Sequence, residues 1–287
     1  MKVFVTGASG FVGSAVVQEL LKAGHQVRGL ARSDDSARQI AAAGAEVYRG
    51  SIDDPNSLMQ GAAGVDGVIH TAYVHDFAAY EKSGQIEQRA IEALGQALAG
   101  SHKPLVATTG LTGLAHGSED DLQAPGVRPS EPAALALVPQ GVRATVVRLA
   151  ASVHDAGDHG FVPYLIKVAR ATGKAAYIGD GRNRWPAVHR LDAARLFRLA
   201  LEQGEAGARY HGVADEGIAF RELAEVIGRH LRVPVVAITP EEAPAHFGWM
   251  ARFAGLDLAA SAALTRQRLG WQPEHIGLLA DMDAHYF

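Results

Sequence analysis

Glycines at positions 7, 10 and 13, within the run VFVTGASGFVG from Val3 to Gly13, are the first residues of this chain whose spacing could do chemistry. An apolar, β-branched run leads into them. Beyond them Val12, Val16 and Leu20, with Val17 and Leu21, recur at helical spacing and stop at Gly24. A strand that turns through glycine into a helix gathers backbone amides and the positive end of the helix dipole around one point. In such a turn Gly7 permits the tight bend, Gly10 lets a diphosphate approach the backbone, and Gly13 lets the helix pack closely on the strand. The pattern predicts a dinucleotide socket at the start of the chain.

The end of the next apolar run bears on which dinucleotide fits. Residues 30 to 34 read LARSD, where a carboxylate would hold a free ribose 2′-hydroxyl. Arg32 stands near that position, about 20 residues past the glycines. Its guanidinium can pair with a 2′-phosphate and stack on adenine, and Ser33 can donate a hydrogen bond. NADP(H) is therefore the preferred cofactor. NAD(H) is the alternative, with Arg32 a solvated charge and Asp34 or Asp35 serving the ribose.

These groups need a frame. Short β-branched runs recur at Val3 to Thr6, Gln26 to Ala31, Glu46 to Arg49, Gly67 to Thr71, Leu105 to Thr109 and Thr145 to Leu149, with helical stretches between them. Asp54-Pro55 gives one helix an N-cap and a preset first turn. Such alternation implies right-handed crossovers and a doubly wound parallel sheet of the Rossmann kind, an α/β fold. Residues 1–150 form this dinucleotide-binding core. A helix from Asp192 to Gln203 and a strand from Arg209 to Val213, within 188–213, read as late core elements. Residues 151–187 carry loop signals around one helical run, Pro163 to Ala171, and 214–287 read as mostly helical. Together those two segments predict a smaller, mostly helical substrate lobe, with a cleft at the strands' C-terminal ends.

Composition narrows the function. Of 287 residues 48% are hydrophobic, enough for a sizeable core, and cysteine is absent, which excludes a thiolate nucleophile and Cys-based zinc sites. A net charge of −4 with mixed signs offers no field for nucleic acid or an acidic membrane. The N-terminus lacks signal-peptide features, no long apolar run occurs, and a cytoplasmic location is expected. HDAGDHG, 154 to 160, gathers two histidines and two aspartates, but a short loop rarely turns all its side chains to one centre, so no metal is expected. His189 and Asp192 are read as structural, Asp192 as a helix N-cap. Ser130 has no nucleophile elbow around it, which leaves hydrolase chemistry without support.

The chain resembles the short-chain dehydrogenase/reductase superfamily, in the extended or atypical branch related to NAD(P)-dependent epimerase/dehydratases. The resemblance spans nearly the whole sequence through TGASGFVG, GSIDD, GVIHTA, VATTG, VRLAASVH, WPAVHRLDAA and LGWQP. It implies that Gly7, Ser9, Gly10, Phe11 and Gly13 cradle the diphosphate, that Arg32 takes the adenosine phosphate, and that Ser51 and Ile52 border adenine. The family usually has Asp where Ser51 stands. His70, Thr71 and Ala72 would line the cofactor. Thr109 matches the catalytic Ser/Thr that hydrogen-bonds a substrate oxygen, with Thr108 and Thr112 as rivals. The family's pairing through two helices makes a homodimer one expected assembly.

The family's next motif, Tyr-x-x-x-Lys, is missing. Matching Ser130 and the following helix puts Val127 at the tyrosine position and Glu131 at the lysine position. No alignment changes this, because no lysine occurs between Lys103 and Lys167 and no tyrosine between Tyr80 and Tyr164. A general acid contributes about 10²- to 10⁴-fold, whereas orientation alone can supply about 7 to 11 kcal/mol. Replacement acids are Tyr164, Tyr73, His75, His116 and His154. Tyr164 is preferred, because in resembling families the segment after the sixth strand covers the nicotinamide, so Tyr164 and Trp185 would face a substrate. The expected activity is an atypical NADPH-dependent reduction of a carbonyl on a small organic substrate. Two alternatives stay open: a non-catalytic NADP(H)-sensing regulator, and a nucleotide-sugar epimerase or dehydratase.

Overall fold

The computed structural model describes residues 1–74, 80–124 and 128–287. In chain order the first half runs β1 (Lys2–Thr6), α1 (Phe11–Lys22), β2 (Gln26–Ala31), α2 (Asp34–Ala42), β3 (Glu46–Arg49), α3 (Pro55–Ala62), β4 (Gly67–His70), α4 (Tyr80–Leu98), β5 (Pro104–Gly110), α5 (Ser130–Leu135) and β6 (Arg143–Leu149). The strands are nearly continuous apolar runs because both faces of the sheet are covered; β4 buries all four of its residues. Asp54 caps α3, accepting from the Asn56 and Ser57 amides at 3.0 and 3.2 Å, with Pro55 in the first turn. Among the described residues no helix is long and apolar enough to cross a membrane.

The chain continues with β7 (Ser152–His154), α6 (Phe161–Thr172), β8 (Ala175–Ile178), β9 (Arg184–His189), α7 (Arg190–Gln203), β10 (Arg209–Gly212), β11 (Asp215–Ala219), α8 (Phe220–Leu231) and β12 (Val235–Ile238), and ends in a helix over Leu278–His285. The main sheet has seven strands in the order β10-β6-β5-β4-β1-β2-β3, all parallel. Strand order reverses between β1 and β4. In a doubly wound sheet that switch point opens the crevice where ligands bind. Apolar clusters cover the two faces, one around α1 and α7 and the other around α3 and α4.

Residues 151–187 contain three strands where loop signals dominate the sequence. β7 pairs with β9 in parallel, β9 with β11 antiparallel, and β8 with β12 in parallel. A third apolar cluster joins 151–187 to 218–286, with Trp185, Phe220, Phe247 and Met250 inside it. This part thus combines helices with small sheets that the sequence did not spell out. The loop after β5 docks on it: the Glu119 carboxylate accepts from the Thr265 amide and hydroxyl at 2.7 and 2.9 Å, and Gly117 O accepts from Ser261 N at 2.9 Å.

Asp192 is not the N-cap of α7. β9 runs straight into the helix, so the cap falls on His189, whose Nδ1 accepts from Leu191 N at 3.3 Å. Asp192 lies in the first turn and ties down the C-terminal segment, accepting from the Glu274 and His275 amides at 2.9 and 3.0 Å. Burial opposes its charge, but those amides and His275 outweigh it and hold the carboxyl below its ordinary range.

A buried polar knot pins α5 to β6 and β10. Arg148 donates two bonds to Glu131 at 2.7 Å each, and Arg209 Nε reaches the same carboxylate at 2.7 Å. Arg148 also faces His211 Nε2 at 3.2 Å, while His211 Nδ1 lies 2.8 Å from Ser261 O. Both ring nitrogens are thereby engaged, Nδ1 as donor and Nε2 as acceptor. Burial chiefly, with Arg148 adding to it, pushes this histidine down to about 4.

Candidate active site

At the switch point, the β1-to-α1 turn leaves no room for side chains. Gly7 has φ +73°, and a Cβ there would lie 2.8 Å from both Ala72 N and Thr71 Oγ1. A Cβ on Gly13 would lie 2.0 Å from Gly7 O, so α1 packs directly on the turn. Gly10 donates to Gly7 O at 2.8 Å and forms the exposed N-cap of α1 with no side chain closing it. Amides at that helix end face outward, the arrangement an anion needs. Ser9 is half-buried beside it. Phe11 lies between the Arg190 guanidinium, 4.7 Å from the ring centre, and the His159 ring at 5.7 Å. These contacts bring the loop after β7 against the glycine turn.

At the end of β2, Arg32 is exposed and forms no ion pair among the described residues, whereas Asp34 pairs with Arg49 and Asp35 with Arg38. Ser33 caps α2, its Oγ accepting from Ser36 N at 3.2 Å. After β3, Ser51 Oγ accepts from Asp53 N at 3.3 Å, and Ile52 packs half-buried against the α3–α4 face. A diphosphate fits the turn and a phosphate fits the unpaired Arg32, so these residues suit a nicotinamide dinucleotide.

Deeper in the crevice, His70 is fully buried, with Nδ1 2.7 Å from Thr6 Oγ1 and Nε2 without a partner. Burial, then the positive charge of Arg128, pushes it down to about 4, so the ring is neutral near pH 7. Thr71 Oγ1 donates to Thr6 O at 2.8 Å, and Thr108 Oγ1 to His70 O at 2.7 Å. Thr109 differs: its Oγ1 is buried at the C-terminal end of β5 and has no hydrogen-bond partner among the described residues. A buried hydroxyl without a bond is costly, and such groups mark sites that a ligand completes.

His70 and His211 have a common consequence for stability. Each takes a proton near 6.5 when unfolded and resists until about 4 when folded. Between those values the unfolded state binds more protons, so stability that is full above 6.5 is lost as pH falls toward 4. Urea midpoints measured across this window should fall, and His211→Gln should flatten the fall. A wild-type midpoint constant down to about pH 4.5 would contradict the buried neutral histidines.

The candidate acids fare differently. Tyr164 donates its hydroxyl to Phe247 O at 3.1 Å and packs on Trp249 at 4.8 Å, within the second part of the molecule. Trp185 does not face a cleft. It is fully buried between Phe161 and Phe220, because β9 is the middle strand of its sheet. His154 is buried against Asp281 at 2.8 Å, His116 is exposed, and His75 lies outside the described residues, as does Val127. The HDAGDHG side chains diverge: Asp155 pairs with Arg190, Asp158 accepts from the Tyr286 hydroxyl, and His159 packs on Phe11. Sequence reasoning named Tyr73 but missed its neighbours. The Arg128 guanidinium carbon is 3.8 Å from the centre of the Tyr73 ring, and Arg128 Nε donates to Glu87 at 2.9 Å while the other arm of its fork meets the same carboxylate. No spacing rule links positions 73, 87 and 128.

The NAD dependent epimerase/dehydratase family profile matches residues 3–99. A Schizosaccharomyces pombe protein is 47% identical over 100% of both chains. A 2-alkyl-3-oxoalkanoate reductase from Stenotrophomonas maltophilia is 30% identical over 78% of this chain and 73% of its own length. The chain belongs to the NAD-dependent epimerase/dehydratase family. Among solved structures, a double mutant of a dTDP-glucose 4,6-dehydratase from Streptomyces venezuelae, with NAD bound, aligns with a TM-score of 0.79 at 20% identity, covering 100% of this chain and 96% of that one. That likeness is one of fold. Family membership and the reductase relative put this chain in the NAD(P)-dependent oxidoreductase and epimerase class.

Proposed function

We propose that this family member is an NADPH-dependent reductase of a carbonyl on a small organic molecule. The observation that carries the reading is the uncapped α1 terminus over the Gly7–Gly13 turn, with unpaired Arg32 at the end of the neighbouring strand. The 2-alkyl-3-oxoalkanoate reductase among the relatives favours a carbonyl substrate over a nucleotide sugar.

The cofactor, when bound, supplies a hydride. The chain does the rest. Amides at the start of α1, with Gly10 and Ser9, would hold the diphosphate, and Arg32 would neutralise the 2′-phosphate. His70, Thr71 and Ala72 form the wall beyond β4, and a neutral His70 brings no competing charge to it. The Thr109 hydroxyl donates to the substrate oxygen and stabilises the charge that grows there. Phe11 and the loop it packs against would cover one side of the glycine turn.

Incubating the protein with NADPH and a panel of aldehydes and ketones while following loss of the reduced-nicotinamide absorbance tests this reading. Turnover of at least one carbonyl, weakened in Thr109→Val, is the expected result. NADPH that binds yet is never oxidised by any member of the panel would instead favour a cofactor-sensing regulator.

A further inference from the structure

We propose that Tyr73 hands the proton to the substrate oxygen, and that Arg128, held in place by Glu87, does for it what a lysine does in a Tyr-x-x-x-Lys pair. The inference rests on the reductase reading.

Tyr73 follows β4 by three residues, immediately after Ala72, whose amide is pressed against the Gly7 turn. β4 neighbours β5, which carries Thr109 at its C-terminal end, and Thr108 is bonded to the His70 carbonyl. Tyr73 thus lies just beyond the end of the strand that runs between β1, with its cofactor turn, and β5, with Thr109. The Tyr73 oxygen is buried and the ring half-buried.

A phenol is a poor acid at neutral pH unless a cation stabilises its anion. The Arg128 guanidinium carbon lies over the ring, 3.8 Å from its centre, and phenolate charge is spread over the ring it faces. Unlike lysine, arginine does not give up its own proton, so it acts purely as a fixed charge. Glu87 is almost fully buried on α4 and takes both arms of the guanidinium, which fixes the plane of the cation. Burial pushes the Glu87 carboxyl up, with Arg128 and the Ser130 hydroxyl pulling it back. His70 also lies within the field of Arg128. Among the described residues, the charged and titratable groups gathered about Tyr73 and Arg128 are this cation, the Glu87 carboxylate and the neutral His70 imidazole.

The step balances simply. NADPH would supply the hydride and leave as NADP⁺; as the hydride adds to the carbonyl carbon, the π pair moves to oxygen. The Tyr73 O–H bond breaks and its proton goes to that oxygen. The phenolate left facing Arg128 recovers a proton from water.

Purified Tyr73→Phe should lose about 10²- to 10⁴-fold in kcat/KM, the usual contribution of a general acid, while binding NADPH as the unaltered chain does. Tyr164→Phe should stay within a few-fold. In the protein without cofactor, alkaline difference absorbance should show one phenol ionising ahead of the rest. That phenol should be absent in Tyr73→Phe, shifted to higher pH in Arg128→Met, restored in part by Arg128→Lys, and shifted to lower pH in Glu87→Gln, which removes the opposing charge and keeps one of the two hydrogen bonds. The high-pH limb of kcat/KM should move the same way. Full activity of Tyr73→Phe, or an alkaline titration that these variants leave unchanged, overturns the assignment and leaves the reductase reading standing. Absence of turnover by the wild type overturns the reductase reading and the donor role with it.

Discussion

Replacing Glu131 with lysine will cost this protein its fold rather than give it back a catalytic lysine. The position matches the lysine of the motif the chain lacks, so the substitution is the obvious attempt at repair. Its carboxylate, however, lies between Arg148 and Arg209, bonded to both at 2.7 Å and almost wholly buried. Removing one partner from such a buried arrangement costs about 3 to 5 kcal/mol, because the other charge is left without compensation. Lysine does more, placing a third cation between two guanidinium groups. Against a total stability of about 5 to 15 kcal/mol, the loss is enough to unfold much of the population. Glu131→Gln keeps an acceptor and should lose less. Thermal melts followed by circular dichroism check both. A soluble Glu131→Lys protein with the wild-type melting temperature would show that the knot is not what holds α5.

Replacing Arg32 with alanine should weaken NADPH binding by about 10- to 100-fold and leave NADH almost unaffected, since a charged hydrogen bond is worth about 1.5 to 3 kcal/mol. The fold should not suffer, because Arg32 is exposed and has no ion-pair partner among the described residues. Equal NADPH affinity in the two proteins, compared by fluorescence titration, would return the adenosine end to Asp34 or Asp35. Those carboxylates are already paired with Arg49 and Arg38.

The core strands could be read in advance because each is spelled by its own residues. VFV, GVI and ATVV are apolar or β-branched throughout, as suits strands buried on both faces. β7, β8, β9, β11 and β12 were illegible for the opposite reason. They are short, β7, β9 and β11 carry Ser, His, Arg, Asp or Gly, with a proline in β9, and all five become strands only through partners far along the chain, as Asp215 does opposite Ala187. The same physics separates the parts of the site. The glycine turn is local, so three spacings describe it. The contacts of Arg128 with Tyr73 and with Glu87 exist only after β4, α4 and the start of α5 have packed. Asp192 shows the limit of residue type as a guide: aspartate often caps helices, yet here a strand entering without a turn gives that task to His189 and frees the carboxylate for the C-terminal segment.

Calorimetric titration of the unaltered chain with NADPH and, separately, with NADH tests the dinucleotide socket most directly. The geometry predicts one site per chain, saturated by NADPH about 10 to 100 times more tightly than by NADH, with the gap closing as salt screens Arg32. Absence of binding heat for either nucleotide at millimolar concentration, confirmed by unshifted thermal melts, would contradict it.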